Sequence, residues 1–281
     1  YKGALPLQFY IDSLSEDHPA KILLSSTKLA SARTRSSFYV SAVMTLKLLT
    51  IPAIYQMTNA SDFDLEELME KDKKIIIYLC LPARDETYFP LASLTLRQIS
   101  DQIDYLADEK YGGRCPRRWN FVIDEFGNFT KITNMKQQTS FGTGKGMRDI
   151  MAIQSFAQLD EKYGEKVSQI IQDNADIKIY LRSPNEVTLE KISKMLGNYT
   201  TSSYSKSNNR PSGSLSQKGT DGESANLVGR PLLFPDEIGD LQRPYSLVMS
   251  DSDPAIMYAP DLSQYTWNEF FGLGDEKHNT K

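Results

Sequence analysis

Apolar positions recur at three- and four-residue spacing through Ile22, Leu23 and Leu29, and again from Phe38 to Ile54, which predicts helices over residues 1 to about 70. Pro52 and the polar run Asn59 to Asp64 interrupt that pattern. At Lys73 the texture changes: Ile75 to Leu81 is an unbroken apolar run closed by Pro82, the pattern of a strand buried on both faces. Helical spacing returns through Leu91, Leu94, Leu96, Ile99, Ile103 and Leu106 and ends near Gly112 and Gly113. Phe121, Val122 and Ile123 predict a second buried strand, and Ile150 to Ile153 a third. A helix from Phe156 to about Ile171, a strand at Ile177, Ile179 and Leu181, and a helix from Asn185 to Leu196 capped by Gly197 follow. Strand and helix alternating at this spacing imply an α/β class with a parallel sheet and helices on both faces.

From about Thr200 to Asn226 the chain is rich in Ser, Asn and Gly and nearly free of apolar residues, so packing cannot hold it and a mobile excursion is expected. Strand-like material resumes in Tyr245 to Met249 and Ile256 to Tyr258, and Trp267, Phe270 and Phe271 are placed to dock a last short helix. The polar tail from Asp275 is expected to fray.

Composition narrows the function classes. With 40% hydrophobic and 24% charged residues over 281 positions, collagen-like, wholly disordered and disulfide-scaffold chains are excluded. No apolar run approaches the ~20 residues of a membrane span. Lys plus Arg at 32 against Asp plus Glu at 36 gives a net charge of -4, so any nucleic-acid contact is local and not a basic coat. Cys80 and Cys115 lie far apart without a CxxC motif, which favours a reducing compartment over a disulfide framework or a thiolate metal site. His18 and His278, the two histidines, sit in polar end segments and leave little for histidine chemistry. The chain starts at Tyr1 without the features of a signal peptide and reads as a piece of something longer.

The most informative segment is Trp119 to Phe126, behind the basic lead-in Arg117 and Arg118. An apolar strand ending in Asp124 and Glu125 puts the first carboxylate at the carboxyl edge of a parallel sheet, where nucleotides bind in this architecture. Asp124 then suits a magnesium ion held through water, and Glu125 suits orienting or deprotonating the water that attacks a γ-phosphate. The same residues also fit a solvated strand end or a helix N-cap. Gln154, at the end of the next strand, fits either a γ-phosphate sensor or a cap for the helix after it. The glycine-alternating stretch Gly142 to Arg148 resembles a phosphate loop but lacks the G-x-x-x-x-G-K-[ST] spacing, because Gly146 follows Lys145 and no hydroxyl comes next. It is rejected as a Walker A and read either as a loop presenting Lys145 and Arg148 to a neighbouring subunit's nucleotide or a phosphate backbone, or as a flexible surface turn. Lys131, Lys136, Lys145 and Arg148, with Asp149 as their one acidic neighbour, are candidates for facing DNA; a solvated basic surface is the alternative.

The run FVIDEFGNFTKITNM, then FGTGKGMRDIMAIQSFAQLDEKYG, resembles the conjugative coupling proteins of type IV secretion, the TraG-like and TraD-like hexameric DNA-pumping ATPases. The likeness continues through Asn174 to Lys178, Leu196-Gly197 and Arg230 to Ile238, spanning roughly residues 70 to 262. It implies a RecA-like nucleotide-binding domain of which residues 71–262 form the Walker B half, an inserted all-helical domain ending in residues 1–70 around Thr34 to Ser37, and a C-terminal tail at 263–281. It also implies Asp124 and Glu125 as the Walker B pair and Gln154 as the sensor. Family members commonly carry arginine where this chain has Thr143, which leaves Arg148 and Lys145 as candidates for the cation reaching across subunits. Walker A and the membrane-anchoring helices lie upstream of the insertion in that family, so a chain without them carries half of an ATPase site.

The resemblance implies ATP and Mg2+ as cofactors and a homo-hexamer on the cytoplasmic face of the bacterial cell membrane. The implied partners are single-stranded DNA, relaxase and relaxosome proteins, and secretion-channel components. Two other readings are kept: a non-catalytic module that docks protein substrates through residues 1 to 70 and the Ser/Asn-rich stretch, and a RecA-like chromosome-partitioning or repair translocase. The glycine stretch and Arg230 to Ile238 favour conjugation over the latter.

Overall fold

The computed structural model describes residues 6–70, 74–82, 85–209, 220–261 and 264–271. The chain divides into two compact units between Asp64 and Leu65. In the first unit, α1 (Pro6–Ser13), α2 (Pro19–Lys28), α3 (Ala32–Leu46) and α4 (Pro52–Thr58) follow one another. Pro19 and Pro52 start their helices, where a missing N–H costs nothing, and the Ser31 hydroxyl caps α3 by accepting from Thr34 N at 3.3 Å. No single described helix is long and apolar enough to cross a membrane.

The second unit opens with α5 (Leu65–Glu70), whose Met69 joins the main core. The long α6 (Phe89–Glu109) buries Ala92, Ser100, Ile103, Leu106 and Ala107 along one stripe, as its periodicity predicts. Lys110 ties the end of α6 to Glu66 and Glu70 of α5. Then come β1 (Trp119–Ile123), α7 (Met135–Lys145), β2 (Met147–Met151), α8 (Phe156–Tyr163) and α9 (Glu165–Asp173). β1 and β2 pair in parallel, with Trp119 opposite Met147 and Ile123 opposite Met151. Phe121, Ile123 and Met147 turn inward onto a core that includes Ile103, Phe126, Met135, Leu159, Tyr163 and Ile171. Val122 and Ile150, on the other face of the same ladder, are 72% and 52% exposed. Cys115 is buried, which pushes its thiol pKa up, while Cys80 is exposed.

Several expectations change, among them the single helix predicted from Phe156 to about Ile171, which is broken at Gly164 into α8 and α9. Ile75 to Leu81 pairs with no strand among the described residues, and Ile76 and Tyr78 are largely exposed. An apolar run measures a preference for burial and cannot supply the neighbouring strands that burial requires. The strand predicted at Ile177 to Leu181 exists as β3 (Lys178–Tyr180), but it pairs antiparallel with β6 (Tyr245–Met249), which pairs antiparallel with β7 (Ala255–Tyr258). A second core of Tyr180, Ile192, Ile238 and Leu247 joins these strands to α10 (Glu186–Leu196) and α11 (Pro235–Gly239). As predicted, α10 stops at Gly197, whose φ of 75° suits glycine.

A further change concerns residues 200 to 226, where β4 (Asn198–Asn209) and β5 (Thr220–Pro231) form an antiparallel ribbon. Its ladder satisfies the backbone without demanding apolar side chains, and composition is blind to that. Arg230 donates to the Tyr199 hydroxyl across the ribbon at 3.1 Å and pairs with Glu237 of α11. Trp267 and Phe270 lie in a 3-10 segment, Thr266–Phe271, in which Phe270 is exposed instead of docked. The tail from Asp275 lies outside the described residues.

Asp149 of β2 accepts from the Gln138 side chain of α7 at 2.5 Å. Its burial pushes the carboxyl pKa up to about 6, with the Gln138 bond acting in the opposite direction. The folded chain therefore holds this proton more tightly than the unfolded chain does. The stability gained is complete below about pH 4 and is lost as pH rises through about 6. Asp149→Asn is expected to raise the unfolding free energy by roughly 2–3 kcal/mol near neutral pH and to change little near pH 4, as read by urea denaturation across that range.

Candidate active site

The ladder of β1 and β2 continues past the ends of both strands. Ala152 N donates to Ile123 O at 3.0 Å, and Phe126 N donates to Ala152 O at 2.9 Å. Between those two bonds stand Asp124 and Glu125, both exposed at the carboxyl edge. Asp124 Oδ1 accepts from Glu125 N at 3.0 Å. Glu125 is left-handed, with φ 51° and ψ 39°, and is the one non-glycine residue with positive φ among the described residues. That conformation costs about 1–2 kcal/mol and persists only where its surroundings enforce it.

The surroundings are a 3-10 turn, Phe126–Asn128, clamped by α8. Phe126 is fully buried and stacks on Tyr163 with ring centroids 5.8 Å apart. The Tyr163 hydroxyl accepts from Ile132 N at 3.2 Å, and burial pushes its phenol pKa up to about 12. The Lys162 ammonium donates to the carbonyls of Gly127 and Phe129, and its burial lowers its pKa. A Cβ on Gly127 would fall 2.3 Å from Gln158 Oε1, so the turn sits directly against α8.

Gln154 reaches this turn from the neighbouring strand. Its Nε2 donates to Glu125 Oε2 at 3.0 Å, and Asn128 Nδ2 donates to the same oxygen at 3.0 Å. Gln154 N donates to Gln158 Oε1 at 3.2 Å, and the Ser183 hydroxyl donates to Gln154 O at 3.0 Å. The structure thus brings Gln154 to Glu125, 29 positions earlier in the chain, beside the adjacent Asp124. The N-cap of α8 is Ser155, so Gln154 is not that cap.

The predicted cations do not share this place. Gly142 to Lys145 is the last turn of α7 and not a loop, closed by Gly146 with φ 98°. Low helix propensity made it read as a loop; Gly142 is buried, and a Cβ there would meet Met147 Cβ at 3.3 Å. Lys145 pairs with Asp104 at 3.5 Å and with Asp108, both on α6. With only Gly146 between it and β2, it lies at the amino edge, opposite Asp124. Arg148 is exposed on β2 beside Asn120. Lys136 opens α7, about 14 Å along the helix from Lys145, and Lys131 lies 6.0 Å from the Tyr163 ring. Lys136 and Lys145 therefore stand near opposite ends of α7. Asn128, Gln158 and Lys162 were not singled out from sequence; the i,i+3 spacing of Glu125 and Asn128 was the available signal.

No described group of three or more His, Cys, Asp or Glu residues is arranged to hold a metal. Asp124 nevertheless fits Mg2+, which binds one or two carboxylates and takes its other ligands from phosphate and water.

The profile of the family described as "Type IV secretory system Conjugative DNA transfer" matches residues 9–270, and the chain belongs to this family. Protein VirD4 of Rhizobium rhizogenes is 25% identical over 217 residues, covering 75% of this chain and 30% of that protein. Conjugal transfer protein TraG of Escherichia coli is 27% identical over 207 residues, covering 68% of this chain and 31% of its own length. Among solved structures, plasmid coupling protein TrwB in complex with the non-hydrolysable ATP analogue ADPNP aligns with a TM-score of 0.61 at 20% identity, over 82% of this chain and 50% of that one. The fold is thus RecA-like α/β, and the chain spans about a third of the curated relatives.

Phe126→Ala is expected to lower the unfolding free energy by about 3–5 kcal/mol, because it empties a fully buried aromatic site. Urea denaturation of the purified chain checks this.

Proposed function

We propose that this chain carries the Walker B half of the ATPase site of a conjugative coupling protein, a motor that moves single-stranded DNA with its attached relaxase toward a type IV secretion channel. The observation that carries the reading is the Gln154 to Glu125 hydrogen bond beside Asp124, at the sheet edge where the architecture binds nucleotides. In this reading Asp124 would hold Mg2+, and the bound ion would neutralise phosphate charge. Glu125 orients the attacking water and accepts its proton. Gln154 reports the state of the γ-phosphate to β2 and α8. The TrwB complexes with ADPNP, and with ADP and Mg2+, support ATP and Mg2+ as the cofactors.

Residues 1–70 are read as the end of an inserted helical domain, 71–262 as the nucleotide-binding half with the 200–226 ribbon, and 263–281 as a tail. Turnover requires a phosphate loop from upstream sequence, so the chain by itself is read as inactive. In a homo-hexamer on the cytoplasmic face of the cell membrane, Arg148 is favoured over Lys145 to reach a neighbouring subunit's phosphates, because Lys145 is engaged by Asp104 and Asp108. Lys131 and Lys136 are the candidate DNA contacts. Substituting Glu125→Gln in the full-length protein is expected to lower ATPase kcat at least ~100-fold while binding of a fluorescent ATP analogue is retained. Unchanged turnover would reject the assignment.

A further inference from the structure

We infer that Asn128 is a positioning residue for Glu125, acting with Gln154 to commit one carboxylate oxygen and leave the other for water. This rests on the reading of Glu125 as the base. Two neutral amides, Asn128 Nδ2 and Gln154 Nε2, converge on Oε2 at 3.0 Å each, and among the described residues nothing donates to Oε1. The carboxylate has four lone-pair sites, so two donors on one oxygen fix the plane of the group without occupying its second oxygen. A base held this way needs no reorientation when water arrives.

Asn128 can do this because of where its turn is anchored. Asn128 N donates to Glu125 O at 2.7 Å, which folds the i,i+3 pair face to face. Lys162 fixes the carbonyls of the flanking Gly127 and Phe129. Gln158, bonded to Gln154 at 3.2 and 3.4 Å, packs on Gly127. The two donors therefore belong to one braced unit, one following β1 and one following β2 at the same carboxyl end of the ladder.

The test uses the full-length protein and compares wild type, Asn128→Ala, Asn128→Asp and Glu125→Gln, with each Asn128 change also made in the Glu125→Gln background. Asn128→Ala is expected to lower kcat about tenfold, the order of one charge-assisted hydrogen bond, with KM for ATP and the thermal midpoint unchanged. Asn128→Asp, which replaces a donor by a like charge, should lower kcat further. In the Glu125→Gln background neither change should cost more, because both act through the carboxylate that is gone. Unchanged kcat in Asn128→Ala, or an equal fold-loss in both backgrounds, would overturn the inference while leaving Glu125 as the base. Wild-type turnover in Glu125→Gln alone would overturn both.

Discussion

Everything at the candidate site depends on the parallel pairing of β1 with β2, and on its two added rungs through Ala152. Parallel pairing is what brings the ends of both strands to the same edge. A shift of one residue in that register would carry Gln154 away from Glu125 and turn Phe121 and Ile123 out of the core. The inward row of Phe121, Ile123 and Met147 and the outward row of Val122 and Ile150 are thus the thermodynamic lock on the distance between Gln154 and Glu125.

The second constraint is local. Directly after the acidic pair, the chain must bury Phe126 against Tyr163 and still leave Glu125 at the surface. The left-handed backbone of Glu125 reconciles those demands. Lys162, which takes two backbone carbonyls and no carboxylate among its described partners, acts as a strut for that turn. The loss of rotamer freedom in such a half-buried lysine is substantial, and the tight turn is what it maintains.

Much of this was readable in the chain. The periodicity of α6, the apolar strand ahead of Asp124 and Glu125, Gln154 just past the next strand and the Gly197 cap follow from spacing alone. What escaped has common physical causes. The exposure of Ile76 and Tyr78 and the antiparallel partner of β3 are set by which strands meet, and no single segment encodes that. The helical state of Gly142 to Lys145 runs against local propensity, and the close approach of Gly142 to Met147 is a tertiary contact that no local pattern displays. The β4–β5 ribbon is held by backbone ladder bonds that residue types do not display. Lys145 looked available because Asp104 and Asp108 are 41 and 37 positions away in sequence, yet one turn apart on α6.

The exposed row of Val122 and Ile150 has an electrostatic consequence for the acidic pair at its end. Two unit charges about 4 Å apart interact by roughly 1 kcal/mol at the dielectric constant of water and by roughly 4 kcal/mol at an effective value near 20. Asp124 and Glu125 now stand on the watery side of that range. Any apolar surface laid over Val122 and Ile150 would displace the solvent that screens them, and the repulsion between the two carboxylates would strengthen accordingly. Coverage of this sheet face and the mutual repulsion of the acidic pair at its end are therefore coupled.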